Sequence, residues 1–284
     1  MTTRDAIREI SRRLEGIYPS GEVKEMTRVI FEHLLGWTRV KMVMHDDDEL
    51  LDFIPARIDA ILSRLEQGEP LQYVLGEARF HGHSFEVTPA TLIPRPETEQ
   101  LVDLVVDRCS HASDLNVLDI GTGTGCIALS LARALHFPRV TAIDISAAAL
   151  EVAARNASAL NAKIKLLQAD ILSATSIAGE PWDVIVSNPP YVLPSEAQAI
   201  ERHVIAHEPH GALFVPEDDP LCFHRAIARY AARQLADGGL LAMEINPLMA
   251  ADTRRLLVDI GFADATLYTD FNARQRFIIA TRQR

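Results

Sequence analysis

Asn188-Pro189-Pro190-Tyr191 stands directly after the apolar run 183–187, and its residue types suit one task, holding a planar NH2 group. An Asn side-chain oxygen and a backbone carbonyl accept two N–H bonds from such a group. Two prolines fix φ at about −65° and add no competing backbone donor, so the turn is stiff. Tyr191 adds a flat face for the group that carries the nitrogen. A delocalised NH2 is a weak nucleophile, and a site for it must both grip it and aim it at an electrophile. The same residues also read as a Pro-rich turn after a strand, with Tyr191 as ordinary packing. The rest of the chain has to decide between the two.

Upstream, Asn116–Ile120 reads as a short buried strand that runs into Gly121-Thr122-Gly123-Thr124-Gly125, followed by a helical stretch over 126–135. Glycines let a ligand approach the backbone, and a helix N-terminus supplies free N–H groups. The spacing is G-x-G-x-G rather than the G-x-G-x-x-G dinucleotide fingerprint, which makes a nicotinamide enzyme the weaker reading. A second strand, 140–143, ends in Asp144, where doubly wound folds place an acid for ribose hydroxyls. A third, 163–168, is followed by Asp170 and Ile171, in position to flank an adenine. Asp119, just before the first glycine, is expected to orient the loop or the amino-acid end of a cofactor. For any one acid a helix N-cap or a surface charge is the plainer alternative, and for Asp170 the two stand nearly level.

The order of Gly-rich loop, ribose acid, adenine-flanking residues and Asn-Pro-Pro-Tyr resembles a class I S-adenosylmethionine-dependent methyltransferase. The tetrapeptide itself resembles the signature of enzymes that methylate amide-like or exocyclic nitrogens. This implies an α/β, Rossmann-like fold with a seven-stranded sheet, in which the Asn-Pro-Pro-Tyr strand lies beside the glycine-loop strand where strand order reverses. Leu92-Ile93-Pro94-Arg95-Pro96-Glu97-Thr98-Glu99, Pro70-Leu71-Gln72-Tyr73-Val74-Leu75-Gly76 and Glu208-Pro209 narrow the resemblance to the HemK/PrmC family, from about Pro70 to the C-terminus. The resemblance implies N5-methylation of the glutamine in the Gly-Gly-Gln loop of class 1 peptide chain release factors. S-adenosyl-L-methionine is then the donor, S-adenosyl-L-homocysteine the product, and no metal takes part. It further implies that Asn188, Pro189 and Tyr191 are catalytic and that Asn188, Pro189, Pro190 and Tyr191 bind substrate. Gly121, Thr122, Gly123, Thr124, Gly125, Asp144, Ile171 and Asn188 would touch the cofactor, and Asp170 joins them by position.

The chain departs from the family pattern at Glu244-Ile245-Asn246-Pro247, at Ala273 where a glycine is usual, and in the loop 214–220, while Arg276 keeps the expected basic residue. These departures are expected to lie away from the cofactor and Asn-Pro-Pro-Tyr positions, at the rim of the substrate site. The main alternative function is an N6-adenine methyltransferase acting on DNA or RNA, since an exocyclic NH2 presents similar geometry; a cofactor-binding sensor or scaffold is weaker still.

A length of 284 residues suggests about two domains, read as a helical docking domain (1–72), a linking β-hairpin (73–93) and a methyltransferase domain (94–284). The net charge is −11, and both the first 80 residues and the remainder are acidic. Nucleic-acid binding is driven by phosphate contacts, so this balance disfavours DNA and RNA as partners. Cys109, Cys126 and Cys222 are isolated, without metal-type spacing, which fits a reducing compartment. The charged N-terminus lacks a signal-type apolar region and no run of 18 apolar residues occurs, so a cytoplasmic protein without a membrane partner is expected.

In the N-terminal region Ile7, Ile10, Leu14 and Ile17 recur at helical spacing, as do Met26, Ile30 and Leu34, and Ile54, Ile58, Ile61 and Leu65, predicting a small bundle. Asp46-Asp47-Asp48-Glu49 is expected to cap the last of these helices or simply to be solvated, with a docking patch for a basic partner as the weaker reading. Phe80, Gly82, Phe85 and Val87 predict a hairpin. His81 and His83 flank its turn, and His203, His207 and His210 cluster near Glu208. Neither group has the ligand count of a zinc site.

Overall fold

The computed structural model describes residues 1–173, 177, 181–199 and 202–283. The chain divides into two compact units, Met1–Glu77 with Arg202–His207, and Ala78–Glu201 with Glu208–Arg284.

In the first unit, α1 (Thr3–Leu14) opens with a capping box, the Thr2 hydroxyl accepting from Asp5 N while the Asp5 carboxylate accepts from Thr2 N. The helix buries Ala6, Ile10 and Leu14; Ile17 lies beyond its end, 49% exposed, so the predicted stripe stops one position early. Val23, Met26, Ile30 and Phe31 of α2 (Ser20–Leu35) join the same core, and Gly36 ends that helix in the left-handed region. A short α3 (Arg39–Met44) follows, which the periodicity does not predict because it buries Met42 alone. Next come α4 (Phe53–Leu65), burying Ile54, Ile58, Ile61, Leu62 and Leu65, and α5 (Leu71–Leu75). Each fully buried Ile or Leu contributes about 1.5–3 kcal/mol, and that burial, more than local propensity, holds such short helices.

The acidic run 46–49 does not cap α4, whose Asp52 makes no side-chain cap bond. It folds against the start of α1 instead. Thr3 N donates to the Asp48 carbonyl, Arg4 N to the Asp46 carbonyl, and the Arg4 guanidinium pairs with Asp46 and Asp47. Carboxylates beside a helix N-terminus complement its dipole.

The second unit begins with a hairpin of β1 (Glu77–Phe80) and β2 (His83–Glu86), turning at His81 and Gly82 with φ of 46° and 76°. Positive φ at both central residues is the primed turn that matches strand twist. There follow α6 (Pro96–Arg108), β3 (Asn116–Ile120), α7 (Cys126–Ala134), β4 (Arg139–Asp144), α8 (Ala147–Ala159), β5 (Lys165–Gln168) and β6 (Trp182–Ser187). Next in the chain is α9 (Arg202–His207), which belongs to the first unit, and the second continues with α10 (His210–Leu213), α11 (Cys222–Gln234), β7 (Leu235–Glu244), α12 (Ala250–Ile260), β8 (Phe262–Thr269) and β9 (Gln275–Arg282).

The seven strands order as β5-β4-β3-β6-β7-β9-β8, with β9 antiparallel to both neighbours and the other pairs parallel. Period-2 alternation divides their side chains between two layers. Val117, Val184, Val186, Leu240, Ala242, Phe277 and Ile279 pack with α6 and α7, whereas Leu118, Ile185, Leu241, Met243, Ile278 and Ala280 pack with α11 and α12. This is the expected Rossmann-like seven-stranded sheet between helical layers. Strand order reverses between β3 and β6, which places ligand chemistry at their carboxyl ends. Among the described residues no helix is long and apolar enough to cross a membrane.

Candidate active site

β3 ends at Ile120, and the glycine loop turns over the end of β4, with Gly121 N and Thr122 N each donating to the Ile143 carbonyl at 2.9 Å. Gly125 N closes back onto the Thr122 carbonyl at 2.8 Å. Gly121, Gly123 and Gly125 all have positive φ, at 74°, 55° and 81°. At Gly125 packing opposes a side chain as well, since a Cβ would sit 3.1 Å from Leu129 and 3.2 Å from Ala153 and both would have to give way. Over Gly121 and Gly123, by contrast, a Cβ would meet nothing within 4 Å. Open space above a backbone bent in this way is a fit for a ligand that lies on the loop.

Asp144, half-buried at the end of β4, faces this loop. Its Oδ2 accepts from Gly123 N and its Oδ1 from Ser146 N, both at 2.9 Å. A carboxylate has about four acceptor sites, so capacity for hydroxyl donors remains. Ala169 N donates to the Asp144 carbonyl, which brings the stretch 169–171 alongside. The Asp170 carboxylate accepts from Leu172 N in a local turn, rather than capping a helix.

Asp119 lies fully buried beneath the loop, and its Oδ2 accepts from the Thr122 hydroxyl at 2.6 Å. Burial, with a smaller contribution from the Asp144 charge and against the Thr122 bond, pushes its carboxyl up to about 7. The loop is braced from a third side by Asn156 of α8, which sequence reasoning missed. Its Nδ2 donates to the carbonyls of Thr124 and Glu86, and its Oδ1 accepts from Glu86 N, so one buried amide holds both the glycine loop and the end of the hairpin.

The register of β3 against β6 pairs Ile120 with Ser187, so Gly121 and Asn188 leave the sheet side by side, about 4.8 Å apart as neighbouring strands are. The Ser187 hydroxyl donates to the Ile120 carbonyl at 2.7 Å and locks that pairing. Asn188 Nδ2 donates to the Thr98 hydroxyl at 3.2 Å, and Thr98 donates to Glu244 Oε2 at 2.7 Å. The Tyr191 hydroxyl donates to Glu244 Oε1 at 2.8 Å and accepts from Arg276 Nη1 at 3.0 Å; Arg276 Nε in turn donates to Asp270 Oδ2 at 2.8 Å. Burial, then the Glu244 charge, drives the Tyr191 phenol well above its ordinary value, so it keeps its proton. Burial also raises the Glu244 carboxyl, opposed by its bonds from Thr98 and Tyr191 and by Arg276 at 3.7 Å. Burial alone would raise Asp270 too, but donors from Arg276, Arg274 N and Asn272 N together hold it low.

The departures at 244–247 and 214–220 are therefore not remote from the Asn-Pro-Pro-Tyr turn, and that expectation is corrected. Glu244 binds the Tyr191 hydroxyl, and Asn246 Nδ2 donates both to the Tyr191 carbonyl at 3.1 Å and to Glu196 at 2.7 Å. Val192 pairs with Phe214, its N–H bonding the Leu213 carbonyl and its carbonyl taking Val215 N. At Ala273 the left-handed backbone of a glycine is kept, with φ of 60°. Glu208, its side chain fully buried, accepts from Ile93 N at 3.1 Å and from Arg95 at 2.6 Å, which ties down the segment leading to Thr98. Neutral His224, pushed down to about 4 by burial, donates from Nε2 to the Glu244 carbonyl. One signal available for Glu244 was a lone acid at the end of the apolar run 240–243; buried charges are paired, so such a position announces partners.

The turn histidines have protein partners, His81 with Asp103 and His83 with Arg133. No group of three metal-ligating side chains occurs among the described residues.

A family model described as methyltransferase small domain matches residues 98–213, and one described as PrmC N-terminal domain matches residues 5–76. The chain is 41% identical over 273 residues to a release factor glutamine methyltransferase of Bacteroides thetaiotaomicron, covering 96% of this chain and 98% of the relative. It is 39% identical to one of Flavobacterium psychrophilum, over 93% and 94% of the two chains. Of solved structures, the T. thermophilus 16S rRNA N2 G1207 methyltransferase in complex with AdoMet and guanosine superposes with a TM-score of 0.53 at 21% identity, covering 73% of this chain and 50% of that one, which shows the shared fold. Matched from its N-terminal helices through its methyltransferase domain, the chain belongs to the release factor glutamine methyltransferase family.

Proposed function

We propose that this protein transfers a methyl group from S-adenosyl-L-methionine to the side-chain amide nitrogen (N5) of the glutamine in the Gly-Gly-Gln loop of class 1 peptide chain release factors, in the cytoplasm. The observation that carries this reading is the β3–β6 register, which sets the glycine loop and the Asn-Pro-Pro-Tyr turn side by side at the reversal of strand order. Family membership supplies the substrate class.

Gly121, Thr122, Gly123, Thr124 and Gly125 would hold the cofactor from below, Asp144 would accept from its ribose, and Asp170 and Ile171 would flank its adenine. When bound, the cofactor supplies an electrophilic sulfonium methyl. Asn188 Oδ1 and the Pro189 carbonyl accept the two N–H bonds of the glutamine amide, Pro190 keeps the turn rigid, and the Tyr191 ring, anchored through its hydroxyl, packs on the side chain. Holding both reactants in place removes up to roughly 7–11 kcal/mol of barrier. A positively charged N-methylated amide is a strong acid and sheds its proton without a dedicated base. Glu244 is committed to Thr98 and Tyr191, which suits it to support rather than proton transfer. We assign release-factor docking to the helical domain, residues 1–72.

Asn188→Ala tests the assignment. Turnover on a release factor should fall at least 100-fold, on the scale of losing a positioned polar group, with the melting temperature retained. Near wild-type turnover would remove Asn188 from the chemistry.

A further inference from the structure

A carboxamide can grip an NH2 only if its oxygen faces the site; flipped, it presents two hydrogens to two hydrogens. Something must therefore choose the orientation of Asn188, and the chain of hydrogen bonds behind it has a single consistent polarity. Glu244 is enclosed by the Thr98 and Tyr191 hydroxyls at 2.7 and 2.8 Å, with the Arg276 guanidinium at 3.7 Å. As a carboxylate it only accepts. The one proton of the Thr98 hydroxyl is consequently spent on Glu244, and towards Asn188 that oxygen has lone pairs alone. Only the NH2 end of Asn188 can face it, at 3.2 Å, which leaves Oδ1 turned away.

Resting on the assignment of Asn188 as the amide-gripping residue, we infer that Thr98 and Glu244 are positioning residues that set the Asn188 carboxamide with its oxygen towards the substrate nitrogen. Thr98 sits in the first turn of α6, Glu244 at the end of β7 and Asn188 just after β6, so three elements that are distant in sequence meet to fix one torsion. Tyr191, Arg276 and Asp270 extend the same polarity outward, and the Tyr191 hydroxyl and Arg276 guanidinium oppose the rise that burial gives the Glu244 carboxyl.

The polarity makes a prediction that a merely structural role does not. In Glu244→Gln every heavy-atom position survives. The new amide must keep its oxygen on the Tyr191 hydroxyl, because that hydroxyl already accepts from Arg276 and has to donate. The Gln NH2 then faces Thr98, frees the Thr98 proton to point at Asn188, and favours the flipped carboxamide. Thr98→Val, which keeps the side-chain shape, removes the acceptor outright.

The experiment measures kcat and KM for methylation of a purified release factor, melting temperature, and S-adenosyl-L-homocysteine affinity by calorimetry. It compares wild type with Thr98→Val, Thr98→Ser, Glu244→Gln, the Thr98→Val/Glu244→Gln pair and Asn188→Ala. Thr98→Val and Glu244→Gln should each lower kcat by roughly 10- to 100-fold, the scale of a misaimed reactant, with homocysteine-product affinity within about threefold of wild type. The pair should be no worse than either single change, since both break one relay, and Thr98→Ser should restore turnover. Wild-type kcat in Glu244→Gln, with Asn188→Ala inactive, overturns the relay while leaving the Asn188 assignment intact. Full activity of Asn188→Ala would instead overturn that assignment itself.

Discussion

With Asp144 as the proposed ribose ligand, its replacement by Ala should separate cofactor binding from chemistry. The carboxylate stands at the end of β4, one strand beyond β3 and two from the strand that carries Asn188, so roughly 10 Å separates it from the transfer site at about 4.8 Å per strand. Each of its oxygens already holds a backbone donor at 2.9 Å and has room for one more. A hydrogen bond to a charged group is worth about 1.5–3 kcal/mol. Two ribose bonds at the lower end of that range, because the site is half-exposed and the freed hydroxyls return to water, come to about 3 kcal/mol, or roughly 100- to 200-fold in Kd. Loss of the Gly123 tether loosens the loop and acts in the same direction. Calorimetric titration with S-adenosyl-L-homocysteine reads the affinity, and single-turnover kinetics at saturating donor read the chemistry. The first should collapse and the second should change by no more than a few fold. Affinity within threefold of wild type would refute the ribose assignment, and a chemical step that fails at saturation would refute the separation of roles.

Two further changes test the scaffold. Ala273→Gly should stabilise the protein. A left-handed alanine costs about 1–2 kcal/mol, of which the extra backbone freedom of glycine returns about 0.5–1, so a gain of about 0.5–1 kcal/mol is expected, or roughly 1–4 °C in melting temperature; an unchanged or lower value would contradict the strain at φ 60°. Asp119→Asn should alter the pH dependence of stability. The folded protein holds the Asp119 proton up to about pH 7, whereas the unfolded chain releases it at about 3.9. The folded state therefore binds more protons in that window, and the stability this group contributes, full below about pH 4, is lost as pH rises through about 7. Denaturation at pH 5 and pH 8 should show the Asn variant gaining on wild type as pH rises, and a pH-independent gap would contradict the burial argument.

The sheet and the two turns at the carboxyl ends of β3 and β6 were readable because their signals are local. Asn116–Ile120 followed by three glycines, and the apolar strand ending at Asn188, each announce themselves within ten residues, and β3 and β6 do pair as that order requires. The support behind the turn was not readable, because hydrogen bonds between Thr98, Asn188 and Glu244 join positions as far as 146 residues apart and leave no periodic trace. Thr98 and Glu244 stood in recognised motifs with no role attached. Asn156 was hidden differently, as a polar residue on the buried face of an Ala-rich helix. The acidic run 46–49 misled because adjacency in sequence suggested α4, whereas the chain folds it back on α1. Ala273 shows the converse, a backbone that keeps a conformation its side chain disfavours because Asp270 anchors the turn through Asn272 N and Arg274 N.

Transfer of labelled methyl from S-adenosyl-L-methionine to a purified class 1 release factor tests the central claim most directly, run beside a Gly-Gly-Gln to Gly-Gly-Ala variant and an unmodified pool of DNA and RNA. The account predicts label on the unaltered factor and on neither of the others; label on nucleic acid, or equal label on the Gly-Gly-Ala variant, would contradict it.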